Sequence, residues 1–489
     1  MTFCRGNDLS PQTPNYHFYA PDQKYCGPFD PNGNLFWKGR HHMFFIYQDE
    51  NLPHGGHCWG HASSADLIHW KIHPPALVPH PGEPDLGIFS GCGLLDLNGV
   101  PTLVYYGIDA GICIATATDD ELEHWVKSPH NPVIPQPKNS PLEKIYNVFD
   151  PHVWIEDGHY MAILGALMRP FMQRDTAYLF RSPDLIHWEY LRPFYTPNCH
   201  WTEEYEDMAC PDFFKLGNRY VLLGISHPCG ARYYLGDYQF GTFIPEEHHR
   251  LNFPGGSLFA PETSLDGKGR RIVWFWMQAQ EDKHNHWQCG DQIMALPRVM
   301  TLNAAGQVEW DVPEEYLALR GPEQAAGPFE VKRHTPYFLP ECHGDCLELE
   351  LSMNSVPART VLRVLQSEDE REFAEIVLDP QQQLLSIDLS HIGLRSDAIK
   401  NFPIYLGPPP RCVLCQSAPF EFCPHGEKLQ LRIFIDRSVV EVFANRRQVL
   451  SQRVYPALGN NRKISFVTDA ESITVDCLKS WPMKPLQFT

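Results

Sequence analysis

This 489-residue chain has little positive charge, few helical patterns and no long apolar run. Its 40 Lys and Arg stand against 59 Asp and Glu, a formal net charge of −19. That balance argues against nucleic acid or an anionic membrane as a partner, and it favours solubility. No segment approaches the ~18 apolar residues of a membrane span. The opening stretch, MTFCRGNDLSPQTPNYHF, contains no apolar core of a secretory signal. The expected compartment is therefore the cytoplasm, although a secreted form trimmed of its signal would read the same way. Cysteine is not scarce, at 15 residues, but it forms no dense disulfide framework. Cys412 and Cys415 make a lone CxxC with no second pair to complete a zinc site. The zinc-protease spacing HExxH is also missing. No metal and no cofactor are expected.

What is present is a repeat. The segments Phe29–Gly39, Phe89–Gly99, Phe149–Gly158, Met208–Gly217 and Phe259–Gly269 each open on a small or polar motif, run through apolar residues and close on a turn glycine. Gly39, Gly99, Gly158, Gly217 and Gly269 lie 60, 59, 59 and 52 residues apart. After them come second apolar runs such as MFFIY, PTLVYYG and YVLLGIS. A fixed period of this length marks stacked units, and strand–turn–strand units suit propeller blades. A second repeat runs alongside: DLIHW at Asp66–Trp70 and Asp184–Trp188, with a looser ELEHW at Glu121–Trp125. Its tryptophans are expected to pack one corner of successive blades.

The expected class is all-β: a five-bladed β-propeller followed by a C-terminal β-sandwich. Residues 1–312 would form the propeller with a short irregular N-terminal arm, 313–330 a linker, and 331–489 the sandwich. EEYLALR within the linker reads as a short helix. The proline cluster Ile404–Cys412 reads as a surface loop.

Blades converge on one channel, so motifs distant in sequence can share a pocket. Asp30, Asp150 and Glu262 stand in the opening motifs of three units, with Phe29, Phe89, Trp59, Phe149 and Phe259 nearby. Paired carboxylates with aromatic faces are what glycoside cleavage requires. One attacks or stabilises the anomeric carbon, another donates a proton to the leaving oxygen, and rings stack on sugar CH faces. An Asp before Pro can also merely start a turn, but two FDP motifs at equivalent positions speak for function.

These motifs resemble glycoside hydrolase family 32, the invertases, levanases and inulinases. The resemblance is carried by YHF (Tyr16–Phe18), DPNG (Asp30–Gly33), WGHASSADLIHW (Trp59–Trp70), FSG (Phe89–Gly91), FDP (Phe149–Pro151), CPDFFKLG (Cys210–Gly217), FAPETSLDGKGRR (Phe259–Arg271) and LRIFIDRSVVEVFAN (Leu431–Asn445). It implies retaining cleavage of β-linked fructose in sucrose, fructan or a fructo-oligosaccharide. Asp30 would be the nucleophile and Asp150 the stabiliser of the transition state. Two positions depart from the pattern. Ala209 stands where the family has its acid/base glutamate, and Phe149 where it has an arginine. A relocated acid is therefore expected, with Glu262 first, Asp207 as its alternative and Glu206 beside it. Expected substrate contacts are Asn32, Trp59, His61, Phe89, Ser90, Phe149, His227 and Arg232. Alternatives are fructosyl transfer on the same scaffold, an arabinosidase or xylosidase of similar plan, and a non-catalytic carbohydrate-binding or sensing protein. The expected partner is a small carbohydrate or oligosaccharide; a homo-oligomer is left open.

Overall fold

The structure is a computed structural model describing residues 12–20, 27–49, 51–279, 292–393, 413–460 and 462–489. The predicted Ile404–Cys412 loop, Cys412 of the CxxC and most of the N-terminal arm lie outside the described residues.

The fold is built almost wholly of strands. Up to Asp311 they form five sheets, opening with strands Pro31–Trp37, Ile88–Leu95, Pro151–Glu156, Ala209–Leu216 and Leu258–Leu265. Each opening strand pairs antiparallel with the next strand through a tight turn. The five repeat glycines sit in those turns with φ of +79°, +78°, +74°, +58° and +74°. Only glycine adopts that left-handed region without a Cβ penalty, which is why the period is written in glycine. The opening strands also contact one another in succession, and the last packs against the first.

The tryptophan repeat marks a second turn, between the third and fourth strands of three sheets. The indole N–H of Trp70, Trp125 and Trp188 donates to the carbonyl three residues earlier, on Leu67, Leu122 and Leu185. All three leucines are left-handed. Asp66, Asp119 and Asp184 accept backbone N–H groups of the same turns. The repeated sequence is thus a repeated turn, with the acid satisfying backbone donors that the turn leaves open.

From Gln324 the chain builds two six-stranded antiparallel sheets. They enclose a common core that includes Leu349, Ile433 and Val442 from one sheet and Val364, Ile376 and Ile387 from the other. The predicted linker is more ordered than its composition suggested. It contains a 3₁₀ helix at Glu314–Leu319 and the strand Gln324–Ala326, which already pairs with Cys477–Pro482 of the second region.

The two regions are joined by buried polar groups. Asp436 accepts the backbone N–H of Asn15, Tyr16 and His17 at 2.6, 2.7 and 3.0 Å. The His17 ring bridges Asp436 and Glu441 at 2.8 and 3.1 Å. Glu441 also accepts from Leu296 N–H at 2.8 Å and from Arg298 at 3.0 Å. The segment Leu431–Asn445 therefore ties down the chain that leads into the first sheet. The C-terminal Gln487–Phe488 closes the join by adding a parallel strand beside His69–Leu77.

Candidate active site

Four of the five opening strands carry a register irregularity near their N-terminal ends. The breaks fall at Asn32/Leu35, Ile88/Gly91, Ala209/Asp212 and Phe259/Pro261. Such bulges re-aim side chains out of strict alternation. Cys210 and Ala260 pay for this with φ of +45° and +36°. Strain of that kind persists only where the surroundings hold it.

At this end lies a pocket of about 250 Å³. Its walls are Phe29, Phe89, Phe149, Phe259 and Trp276 with Ile46 and Ile225, and its polar groups come from Asp30, Gln48, His57, Ser90, Asp150, Cys210 and His227. That volume falls below the roughly 300–1,000 Å³ of drug-sized sites and suits a single sugar ring.

Asp30 and Asp150 meet here across 120 residues of chain. Ser90 Oγ donates to Asp30 Oδ2 at 2.7 Å. The Cys210 thiol lies 3.6 Å from Asp30 Oδ2 and 3.5 Å from Asp150 Oδ2, and Cys210 N–H donates to Asp150 Oδ2 at 3.0 Å. The bulge in the fourth sheet makes this contact. Met208 N–H bonds Ala166 O at 3.2 Å, clamping that strand to the third sheet. A Cβ on Gly165 would stand 2.3 Å from Met208 O, so this approach requires glycine.

Burial raises the Asp30 carboxyl, against the Ser90 bond and the nearby His227. Burial raises Asp150 further, to about 7, with the charge of Asp30 adding to it. Burial and the two carboxylates push the Cys210 thiol well above its ordinary range.

His227 forms the remaining wall. Its Nδ1 lies 2.6 Å from Asp207 Oδ2, and its backbone N–H donates to Asp207 Oδ1 at 2.9 Å. Burial would lower this imidazole, but the bond and charge of Asp207, with the charges of Asp150 and Asp30, raise it above its ordinary value. Asp207 is correspondingly lowered: burial opposes ionisation, and His227 outweighs it.

The pocket gathers six of the expected catalytic and contact residues, Asp30, Asp150, Phe89, Ser90, Phe149 and His227, with Phe29 and Phe259 of the aromatics expected beside them. The others stand behind it. Asn32 spends its amide on backbone, donating to Asp30 O at 2.7 Å and accepting from Gly91 N–H at 3.1 Å. Trp59 is fully buried and donates to Phe89 O at 3.0 Å. His61 is stacked between Phe44 and His73, at centroid distances of 4.4 and 4.0 Å. Arg232 is buried among Glu206, Asp175 and the Asp207 carbonyl. These four expected contacts support the wall from outside rather than form it.

Glu262 also lies outside this pocket. It comes after the bulge of its strand, and its carboxylate accepts Asn34 N–H at 3.3 and 3.2 Å. Burial, with Asp212 as its charged neighbour, raises it well above the usual carboxylate range. Glu206 is the opposite case. Burial disfavours its charge, but Arg250 and Arg232 hold it down at about 2, so it is an ionised structural acid. Gln48, His57 and Cys210 enter the pocket without having been singled out as contacts. MFFIYQ and CPDFF were visible as strands, but the residue facing inward depends on the bulges.

Among the described residues no cluster of His, Cys, Asp and Glu has the geometry to hold a metal ion. No helix among them is long and apolar enough to cross a membrane.

Residues 17–310 match the model of the Glycosyl hydrolases family 32 N-terminal domain, and residues 315–482 that of the family 32 C-terminal domain. The chain is 26% identical to the sucrose-6-phosphate hydrolase of Zymomonas mobilis subsp. mobilis, covering 93% of this chain and 90% of that one. It is 28% identical to the insoluble isoenzyme 1 of beta-fructofuranosidase from Oryza sativa subsp. indica, over 96% and 90%. The crystal structure of fructan 1-exohydrolase IIa from Cichorium intybus superposes with a TM-score of 0.80 at 20% identity, covering 98% of each chain.

Proposed function

The chain belongs to glycosyl hydrolases family 32, and from that premise we propose that it cleaves fructofuranosyl linkages by a retaining double displacement. The observation that carries this reading is the convergence of Asp30 and Asp150 on the one thiol of Cys210, at 3.6 and 3.5 Å, in a pocket the size of one sugar.

In this reading the five sheets are blades of a closed five-bladed propeller, with the opening strands lining its axis. Residues 1–312 form that domain and the C-terminal sandwich supports it. Asp30 attacks the anomeric carbon of the fructosyl unit as a carboxylate, kept partly ionised in its apolar setting by the Ser90 hydrogen bond. The leaving oxygen departs, and water then cleaves the fructosyl ester from the same face. Asp150 accepts from sugar hydroxyls and stabilises the positive charge that develops on the ring. Phe89, Phe149 and Trp276 offer flat surfaces to the CH faces.

Sugar release from sucrose, levan and inulin tests it, with wild type compared to Asp30→Asn. Loss of the nucleophile should lower turnover on the order of 10⁴-fold or more. Equal turnover by both proteins would remove Asp30 from the role. No release of fructose by wild type from any of these, nor from an activated fructoside, would refute the hydrolase reading.

A further inference from the structure

Ala209 leaves the retaining mechanism without a carboxylic acid at the position where family resemblance expects one, and neither expected replacement is placed to act. Glu262 stands outside the pocket, bound to Asn34 N–H. Asp207 spends both carboxylate oxygens on His227, one on its backbone and one on its ring. A carboxylate held ionised in this way has no proton to give. The Cys210 thiol, raised far above neutrality, is too weak an acid to assist a leaving alkoxide.

We propose that His227, oriented by Asp207, is the general acid and base of this hydrolase. This inference rests on the fructofuranosidase reading above and names the residue that completes its mechanism.

Three observations place the group. The imidazole lines the same pocket as Asp30 and Asp150. The Nδ1 bond to Asp207 fixes the ring and leaves Nε2, on the opposite edge, with no hydrogen-bond partner among the described residues. Phe149 and Phe259 flank the ring at centroid distances of 6.3 and 6.1 Å, limiting its rotation. A nucleophile on one side of a cavity, with a donor fixed by a third group, is the geometry of acid–base assistance.

The proton inventory closes. In the first step Asp30 forms a bond to the anomeric carbon while the bond to the leaving oxygen breaks. The proton on His227 Nε2 goes to that oxygen, which departs as an alcohol. His227 is then neutral. In the second step its Nε2 takes a proton from water as the water oxygen bonds to the anomeric carbon. The ester bond to Asp30 breaks, the carboxylate is restored and the imidazolium is regenerated. One water is consumed, and one fructose and one alcohol are formed.

The charged and titratable groups around His227 are Asp207, with Arg232 behind it, and Asp30, Asp150, Cys210 and the burial-lowered His57 in the pocket. The three carboxylates stabilise the imidazolium, so the acid form persists toward neutral pH.

The test compares wild type with His227→Gln and His227→Asn, the second keeping a donor near the Nδ1 position. Two substrates are used: sucrose, whose leaving alkoxide needs a proton, and β-fructofuranosyl fluoride, whose leaving group needs none. Both variants should lose about 10²- to 10⁴-fold on sucrose. Formation of the fructosyl-enzyme from the fluoride should fall by less than about tenfold, since general acid assistance is what the variants lack. Azide should accelerate turnover of the fluoride by the variants, releasing fructosyl azide, because an anionic nucleophile needs no general base. Asp207→Asn should move the alkaline limb of kcat/KM to lower pH. Equal losses on the two substrates, no azide effect and an unmoved alkaline limb would overturn the proposal. A wild type that turns over both substrates alongside unimpaired His227 variants overturns this proposal alone. A wild type inert toward both, and toward levan and inulin, overturns the hydrolase reading with it.

Discussion

Replacing Glu441 by Gln should cost this protein about 3 kcal/mol, because the carboxylate is fully buried at the join of the two regions and every partner is a donor. Its carboxylate accepts from Leu296 N–H, Arg298, Ser451 and the His17 ring. Burial alone would raise its pKa, yet His17 and Arg298 bring it down to about 2. Against an ordinary Glu near 4.3 that is roughly two units, each worth about 1.4 kcal/mol of stability while the group is charged. The amide removes that charge and turns an NH₂ toward existing donors, leaving Arg298 buried without a counter-charge. Breaking a buried pair in this way typically costs ~3–5 kcal/mol.

The signs follow from the directions of shift. A depressed Glu441 contributes stability above its unfolded pKa and loses it as pH falls through about 2. His17 is raised: burial opposes its charge, and Asp436 and Glu441 outweigh that. It contributes below about 6.5 and loses its contribution as pH rises through its folded pKa. Urea unfolding followed by tryptophan fluorescence, on the full chain at pH 7, should show the midpoint of Glu441→Gln well below wild type. The gap should narrow on acidification from pH 4.5 toward pH 2, where wild type loses the same charge. A cycle with His17→Gln should be non-additive, since the two side chains are 3.1 Å apart. A loss under about 1 kcal/mol, or simple additivity, would refute the claim that this cluster ties the regions together.

Two further perturbations act on the pocket. Ser90→Ala removes a 2.7 Å donor to Asp30, and a hydrogen bond to a charged group is worth about 1.5–3 kcal/mol, so kcat/KM should fall roughly tenfold to a hundredfold. Asp30 must be ionised to attack, so its raised pKa should move the acid limb of the pH profile upward. Phe149→Arg places a guanidinium beside Asp150, which should lower that carboxyl by ~1–3 units from about 7 and move the acid limb downward. A pH profile unchanged in either variant would refute the corresponding assignment.

The repeat was legible because turns are written in residue types. Glycines at φ near +75° and the Asp/Leu/Trp pattern of the second turn have few substitutes, so period and blade-like pairing could be read from one sequence. The two carboxylates were legible for a similar reason, since Asp–Pro sits at the mouth of two equivalent strands. The pocket wall was not. Alternation predicts which strand residues face inward, but four opening strands break it with bulges. A bulge is a backbone feature with only a weak sequence mark. Asn32, Trp59 and His61 therefore read as contacts and stand behind the pocket wall, while Cys210, named only within a motif, lies between the two acids. The motif Leu431–Asn445 shows the same limit. Its Asp436 and Glu441 were not singled out in the sequence, and they hold Asn15, Tyr16 and His17 in place.

The exchange at Phe149 and the pairing of His227 with Asp207 belong to one electrostatic arrangement. The pocket holds two carboxylates inside a ring of aromatic side chains, and burial raises both. Of its two imidazoles, His57 is lowered by burial and stays neutral, whereas His227 is raised and supplies positive charge. An arginine at position 149 would be charged at every working pH and would hold Asp150 ionised throughout. With phenylalanine there, burial pushes Asp150 up to about 7, and its charge is itself one of the causes that raise His227. Ionising Asp150 strengthens the acid form of His227. Lowering the pH neutralises Asp150 and weakens the same support. Activity should therefore fall off on the acid side of neutrality, and the alkaline limb should move to lower pH when Asp207 is made neutral. An alkaline limb that stays in place would mean that the carboxylates do not share one field with the imidazole.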